Sequence, residues 1–293
     1  MEYAIQDVAQ IIGARTKALP DCTISILLTD SRRLSFPEMS LFFALATKTN
    51  DGHRYVQDLY KLRVRNFVVS KMLPEFEQME EANFLLVKDV LAALQKLVAY
   101  HRKRFQIPVI GITGSNGKTV VKEFLYQLLH NEFDIVRSPR SYNSQIGVPL
   151  SVWEMNEKNT LGIFEAGISQ PDEMEKLQPI IAPTIGVLTS IGEAHQENFI
   201  SVNQKCLEKL MLFNESEAII YDGDNPLIST LIESACLSHK AIAWSRTDRE
   251  APLFIESIEK RQDETVIHCT LLGFDRTYTI PFVDDASIEN VIH

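Results

Sequence analysis

The chain has 293 residues, enough for two hydrophobic cores rather than one. Apolar residues make up 45% and charged residues 23%, the composition of a soluble globular protein, and no run approaches the roughly 18 apolar residues that span a bilayer. A formal charge of -10 gives no electrostatic reason to grip a nucleic-acid backbone, although loops and helix N-termini can still hold small phosphates.

The opening MEYAIQDVAQIIGARTK reads as an amphipathic helix and lacks the basic and apolar regions of a signal peptide, so the expected compartment is the cytoplasm. Residues 1–105 are predicted to form a small α/β domain. Its strands are the apolar runs Ile24–Leu28, Leu41–Leu45, Phe67–Val69 and Phe84–Val87, and its helices cover Tyr3–Ile12 and Val90–Arg104. The basic end of the second helix, His101-Arg102-Lys103-Arg104, complements the helix dipole and reads as a solvated face. Cys22, Cys206, Cys236 and Cys269 are far apart and form no CxxC pair, which argues against a zinc knuckle or a disulfide framework.

From Pro108 strands alternate with helices: Val109–Ile112, Val120–Leu129, Leu161–Phe164, Glu173–Ile181, Ile185–Leu188, Val202–Phe213 and Ala218–Tyr221. That alternation predicts, for residues 106–293, a mostly parallel sheet with helices on both faces and ligands at the carboxyl ends of the strands. The runs between Leu253 and Phe282 read as antiparallel strands appended to it. Asp284 to His293 reads as the capped start of a helix, with a further domain expected beyond it.

Chemistry concentrates after the first strand of this region. Gly114-Ser115-Asn116-Gly117-Lys118-Thr119 lies between an apolar strand and a helix, the context a P-loop needs. Its glycines let backbone N–H groups converge on phosphate, Lys118 supplies a point charge, and the Thr119 hydroxyl suits Mg2+. The match is to the shorter GxxGKT core, because Ile112 stands where the longer consensus has glycine. Glu165 ends the next apolar run as a candidate metal ligand or a simple loop cap, and His195 follows the strand after that as a ligand or a structural imidazole. In the helix after His195, Lys209 falls within the apolar stripe of Val202, Cys206, Leu210 and Phe213. It either snorkels to solvent or, with a pKa lowered by burial, captures carbon dioxide as a carbamate. Lys205 and Glu208 read as a solvated pair at the rim of the stripe.

With these residues assembled, the chain resembles the Mur ligases over essentially its whole length. The resemblance is strongest to the members that join D-alanyl-D-alanine to a UDP-N-acetylmuramoyl tripeptide. It rests on Thr29-Asp30-Ser31-Arg32, Leu41 to Leu45, Asn50-Asp51-Gly52-His53, Thr113 to Thr119, Ser141 to Pro149, Phe164 to Gly167, and Gly192-Glu193-Ala194-His195. The resemblance implies that Ser31, Arg32, Asn50, Asp51, Gly52 and His53 hold the UDP-muramoyl end. It implies that Lys118 and Thr119 hold ATP and Mg2+, and that Glu165, His195 and carbamylated Lys209 serve the metals. Asn143, with Ser144 beside it, would line the cleft, and Asn290 would face the adenine. Ser144 stands where the family often has a second asparagine, Glu208-Lys209-Leu210-Met211 replaces an AKxE pattern, and Asp284 to His293 replaces an HNxxN-like segment. These variants resemble the ligase half of proteins fused to alanine racemase, in which pyridoxal phosphate would belong to the racemase alone. The implied reaction activates a carboxylate as an acyl phosphate, and the domain expected beyond His293 would be needed for turnover. A folylpolyglutamate-synthase-like ligase and a non-catalytic nucleotide-binding module are the alternatives.

Overall fold

The computed structural model describes all residues except 18–19, 48 and 193–197. Contacts divide it into two compact units, Met1–Arg104 and Phe105–His293.

In the first unit a short strand β1 (Tyr3–Ala4) leads into α1 (Ile5–Ile12). The helix buries Ile5, Val8, Ala9 and Ile12, the spacing that makes one apolar stripe, and ends at Gly13 with φ 69°. The apolar run Ile24–Leu28 is two strands rather than one. β2 (Thr23–Ile24) pairs antiparallel with β1, and from Ile26 the chain changes partner to begin a parallel sheet. That sheet has the order β3 (Ile26–Leu28), β4 (Ser40–Phe43), β5 (Asn66–Val69), β6 (Asn83–Leu86). The short helix α2 (Val56–Lys61) buries Val56 and Leu59 in the core formed with Phe42, Phe67 and Phe76. The last helix, α3 (Val90–Arg102), is capped by Asp89, which accepts from the backbone N–H groups of Leu91 and Ala92.

The basic end of α3 is a solvated face only in part: Lys103 and Arg104 are exposed, but His101 and Arg102 are buried. His101 continues the buried stripe of Leu94, Leu97 and Val98 and is 1% exposed, with Nδ1 2.7 Å from the Tyr3 hydroxyl. Arg102 is 6% exposed. The heptad position decides burial here, and helix-end charge does not override it.

The second unit is built on a sheet of order β15-β14-β13-β12-β11-β10-β7-β9-β8 among the described residues. The chain passes through β7 (Val109–Thr113), α4 (Lys118–Leu129), β8 (Ile135–Arg137), α5 (Gly147–Trp153), β9 (Leu161–Glu165), α6 (Met174–Ile181), β10 (Ile185–Leu188), α7 (Val202–Leu210) and β11 (Ala218–Asp222). It continues through α8 (Pro226–Ser234), β12 (Ala241–Ser245), β13 (Leu253–Lys260), β14 (Thr265–Leu271), β15 (Phe274–Ile280) and α9 (Asp285–Ile292). Strands β7 to β13 run parallel, and β14 and β15 follow as antiparallel pairings at the edge. β7 lies between β9 and β10, so the connections leave it in opposite directions and open a crevice at its carboxyl end. β14 and β15 are joined at Leu272 (φ 51°) and Gly273 (φ 82°), the backbone of a type I′ hairpin. Asp284 caps α9 by accepting from Ser287 N–H, as its sequence predicts. No helix among the described residues is long and apolar enough to cross a membrane.

The turn that closes α7, Met211–Phe213, packs on β10 through one close approach. A Cβ at Gly186 would lie 2.4 Å from the ring of Phe213, which is itself fully buried. Gly186→Ala gains about 0.4–1 kcal/mol by restricting the unfolded chain but overpacks the core at about 1–3 kcal/mol. The expected outcome is a net loss of stability in urea denaturation, and a melt unchanged or raised would show that Phe213 moves aside freely.

Candidate active site

The loop after β7 is held in shape by hydrogen bonds to the ends of the neighbouring strands. Thr113 donates through Oγ1 to Ala166 O at 2.9 Å, tying the end of β7 to the end of β9. Gly114 has φ 149°, and a Cβ there would strike Thr189 Oγ1 at 1.8 Å, so the position admits only glycine. Thr189, just past β10, donates to Asn116 O at 2.6 Å. Ser115 N–H donates to Ser190 O at 2.7 Å, and Ser115 Oγ exchanges hydrogen bonds with the backbone of Gly192. Gly117, with φ 83°, opens α4. Asn290, on α9, lies directly behind it: a Cβ on Gly117 would come within 2.2 Å of Asn290 Oδ1.

Lys118, the first residue of α4, donates to Gly114 O at 2.8 Å and Ser115 O at 3.1 Å. Burial pushes its pKa down, Glu165 opposes that shift, and Lys205 adds to it. Thr119 Oγ1 donates to Glu165 Oε2 at 3.0 Å and lies 3.3 Å from Ser141 Oγ. Glu165 is fully buried at the carboxyl end of β9. Asn143 Nδ2 lies 3.5 Å from the same Oε2. Glu165 Oε1 sits 2.9 Å from Lys122 Nζ but accepts no hydrogen bond of acceptable geometry. Among the described residues neither Glu165 oxygen accepts from a backbone N–H, as a loop cap's would: Oε1 faces the Lys122 ammonium, and Oε2, beside the Thr119 hydroxyl, is the oxygen that fits a cation. Ser144 is used locally, with Oγ accepting from Gly147 N–H at the start of α5.

Lys209 does not snorkel. It is 3% exposed, and Nζ donates to Gly114 O at 2.8 Å, the same carbonyl that Lys118 contacts. Its pKa is lowered to about 7, first by burial and then by the charges of Lys118 and Lys205. The reading of Lys205 and Glu208 as a solvated pair is also corrected. Lys205 is 1% exposed and donates to Gly192 O, while Glu208 is 8% exposed and accepts from Met174 N–H at 3.1 Å. Cover thus extends past the apolar stripe to both of these residues, while Leu207 between them is exposed. His195 lies outside the described residues. Among the described residues no three His, Cys, Asp or Glu side chains gather as a metal site. Glu165 Oε2 and the Thr119 hydroxyl, 3.0 Å apart, are the described oxygen groups that could hold a cation at this edge.

In the first unit the family-like segments sit at the carboxyl ends of β3 and β4. Asp30 caps the turn Ser31–Arg33 and pairs with Arg32 at 2.7 Å, which holds its carboxyl at about 2. Arg32 is exposed and within electrostatic reach of Tyr55, whose hydroxyl donates to Asn50 Oδ1 at 3.3 Å. Those contacts bring the two segments toward one edge. Asp51, held below the usual carboxylate range first by Lys71 and then by His53, caps the turn that begins at Gly52. A Cβ on Gly52 would lie 2.8 Å from the backbone of Ala44 and Leu45. His53 is 2% exposed with both ring nitrogens engaged, Nδ1 to Asp51 and Nε2 accepting from Ser70 N–H at 3.0 Å. Gly52 and His53 thus shape this edge from inside, Asp51 links His53 to Lys71, and Arg32 and Asn50 are exposed.

Sequence reasoning missed Lys122, Thr189, Ser141 and the inward turn of Lys205. Lys122 carried a readable signal: with Leu125 and Leu129 it lies on the inner stripe of α4, the same kind of position that singled out Lys209.

Comparison with known proteins gives this geometry a family. A model described as the Mur ligase middle domain matches residues 112–293. The chain is 28% identical over 298 residues to the UDP-N-acetylmuramoyl-tripeptide--D-alanyl-D-alanine ligase of Bacillus subtilis (strain 168), covering 100% of this chain and 62% of that protein. The protein of the same name from Rickettsia prowazekii (strain Madrid E) is 33% identical over 189 residues, 63% of this chain and 41% of its own. MurF from Acinetobacter baumannii superposes with a TM-score of 0.88 at 23% identity, over 99% of this chain and 63% of its own. An apo form of L. casei FPGS reaches 0.53 at 10% identity, over 68% of this chain and 58% of its own. The chain therefore spans less than two thirds of the relatives it matches. Residues 112–293 are well over half of this sequence, and on that match the chain belongs to the Mur ligase family.

Proposed function

We propose that this chain is the UDP-muramoyl-binding and ATP-binding part of a cytoplasmic peptidoglycan-precursor ligase, one that joins D-alanyl-D-alanine to a UDP-N-acetylmuramoyl tripeptide. The observation that carries the reading is the convergence of Lys118, Thr119, Glu165 and Lys209 on one loop of a Mur ligase fold. The names of the relatives supply the substrates, and the match along the whole of this chain to the Bacillus protein supports carrying them over. The likeness to FPGS extends over a smaller part of the chain, with a lower superposition score.

In this reading the peptide carboxylate attacks the γ-phosphate of ATP, giving an acyl phosphate and ADP. The amine of D-alanyl-D-alanine then displaces phosphate and forms the amide. Two anions must meet in the first step, so the residues' main task is to offset charge and align the reactants. Backbone N–H groups of Gly114 to Thr119 cradle the phosphates, and Lys118 exchanges its carbonyl contacts for phosphate oxygens. Mg2+ bound by Thr119 and Glu165 would neutralise phosphate charge. Asn143 keeps Glu165 oriented from the cleft side, and Asn290 supports the loop from behind and borders the nucleoside. Lys209 is buried between two other lysines and holds a neutral amine near pH 7, the form that takes up carbon dioxide to give a carbamate and a proton. The carbamate would turn a third ammonium into an anion able to serve a second metal with His195. Ser31, Arg32, Asn50 and Asp51 present donors and charge to the UDP-muramoyl group.

Lys118→Ala is expected to fold normally and to lose ATP affinity by about tenfold or more, the scale of one charge-assisted hydrogen bond. Calorimetry showing unchanged affinity would defeat the phosphate-loop assignment. In the full-length enzyme Lys209→Ala is expected to lose ligation and to recover part of it in millimolar acetate or formate, which replace the carbamate oxygens. Full activity without rescue would remove the carbamate.

Lys209 also fixes a dependence of stability on pH. The unfolded lysine binds its proton up to about its ordinary 10.5, whereas the folded one releases it above about 7. Between those values the unfolded state holds the extra proton, so the folded state is increasingly penalised as pH falls toward 7 and no further below it. In carbon-dioxide-free buffer Lys209→Met is therefore expected to be more stable than the parent, on the order of a few kcal/mol below pH 7, with the advantage vanishing toward pH 10.5. Urea denaturation across pH checks this, and an advantage that grows with pH would mean the lysine is charged and paired.

A further inference from the structure

The second charged group under the phosphate loop is Lys122, one helical turn beyond Lys118. Its side chain is completely buried, and Nζ donates to Ser138 O at 2.8 Å and to Arg140 O. The same ammonium lies 2.9 Å from Glu165 Oε1 and 3.2 Å from Glu123 Oε1, and Glu123 is in turn paired with Arg137. The opposite oxygen of Glu165 faces the Thr119 hydroxyl. Glu165 N–H donates to Ser138 Oγ at 3.2 Å, so Ser138 serves both partners of the ion pair, the lysine through its carbonyl and Glu165 through its hydroxyl. A fully buried carboxylate with one rotamer-fixing cation behind it and one hydroxyl in front has a single orientation open to it.

We propose that Lys122 is a positioning residue for Glu165: it anchors Oε1 from beneath α4 and so turns Oε2 toward Thr119, where a nucleotide-borne divalent cation is received. The proposal rests on the ATP-dependent reading above. It separates Lys122 from Lys118, since Lys122 reaches the backbone of the segment after β8 and the acid, while Lys118 reaches the loop carbonyls. A lysine that merely fastened α4 to that segment would contribute equally to nucleotide binding with and without metal. A lysine that aims Glu165 contributes only when metal is present.

The test is calorimetric titration of ATP into the 293-residue chain and into Lys122→Met, once in EDTA and once across a series of Mg2+ concentrations. The expected result is an ATP affinity in EDTA within about twofold of the parent and a half-saturating Mg2+ concentration raised about fivefold or more. Adding Lys122→Met to Glu165→Gln should then change the Mg2+ response no further. If Lys122→Met does not fold, Lys122→Gln, which keeps a donor for Ser138 O, is compared in the same way. Equal losses in EDTA and Mg2+, an unchanged Mg2+ response, or failure of both variants to fold each overturns the proposal. A parent chain that binds no ATP under either condition overturns the functional reading together with it, whereas a parent with a normal Mg2+ response isolates the failure to Lys122.

Discussion

Gly114 O is where the second unit concentrates its electrostatic tension. Lys118 and Lys209 both donate to this one carbonyl, and Lys205 is buried against Gly192 O on the neighbouring loop. Three ammonium groups removed from water and facing one another raise each other's cost, and the lowered pKa of Lys118 and Lys209 records that cost. Among the described residues Glu165 is the acid that relieves Lys118. Much of the surrounding structure serves to hold this unfavourable arrangement. Thr113 is tied to β9, Thr189 to the loop, Ser115 to Gly192, and Gly114 and Gly117 occupy backbone regions that side chains avoid. A polyanion is the ligand that turns the same arrangement from a penalty into a gain.

The parts of this design that follow a period were legible from the residues. The strand-loop-helix around Gly117, the acid closing β9 and the lysine on the inner stripe of α7 are each set by local spacing, and the structure brings them to one sheet edge. The capped start of α9 was equally plain, because Asp284 and Ser287 stand at capping distance. Short or interrupted elements were not legible. β8 has only Ile135–Arg137, and α5 carries Pro149 in its first turn, so neither offers a window in which periodicity can rise above noise. Charged residues misled for a different reason. Lys205 and Glu208 look solvated by type, yet Lys205 is covered by the loop at Gly192 and Glu208 by the start of α6, and no local pattern reports that cover.

The N-terminal unit shows a division of labour between neighbouring residues of one motif. In Asn50-Asp51-Gly52-His53, His53 and Gly52 are spent on the interior, one bonding through both ring nitrogens and the other admitting a backbone at van der Waals range. Asp51 joins His53 to Lys71 through its two oxygens, and Asn50 stays exposed. A motif recognised as a unit therefore contains positions with different physical environments: Gly52 and His53 are set by packing, whereas Asn50 is open to solvent.

The hairpin between β14 and β15 has a practical consequence. Because β13 runs parallel to the strands that bear the site and β14 runs back, the turn at Leu272 and Gly273 lies at the opposite edge of the sheet. Leu272 is 72% exposed, and nothing lies within 4 Å of a Cβ built on Gly273. A fluorophore or a surface-immobilisation handle attached at this turn would leave the nucleotide edge unobstructed. The hairpin thus offers an anchorage for single-molecule or biosensor work in which ligand arrival is read from the far side of the sheet.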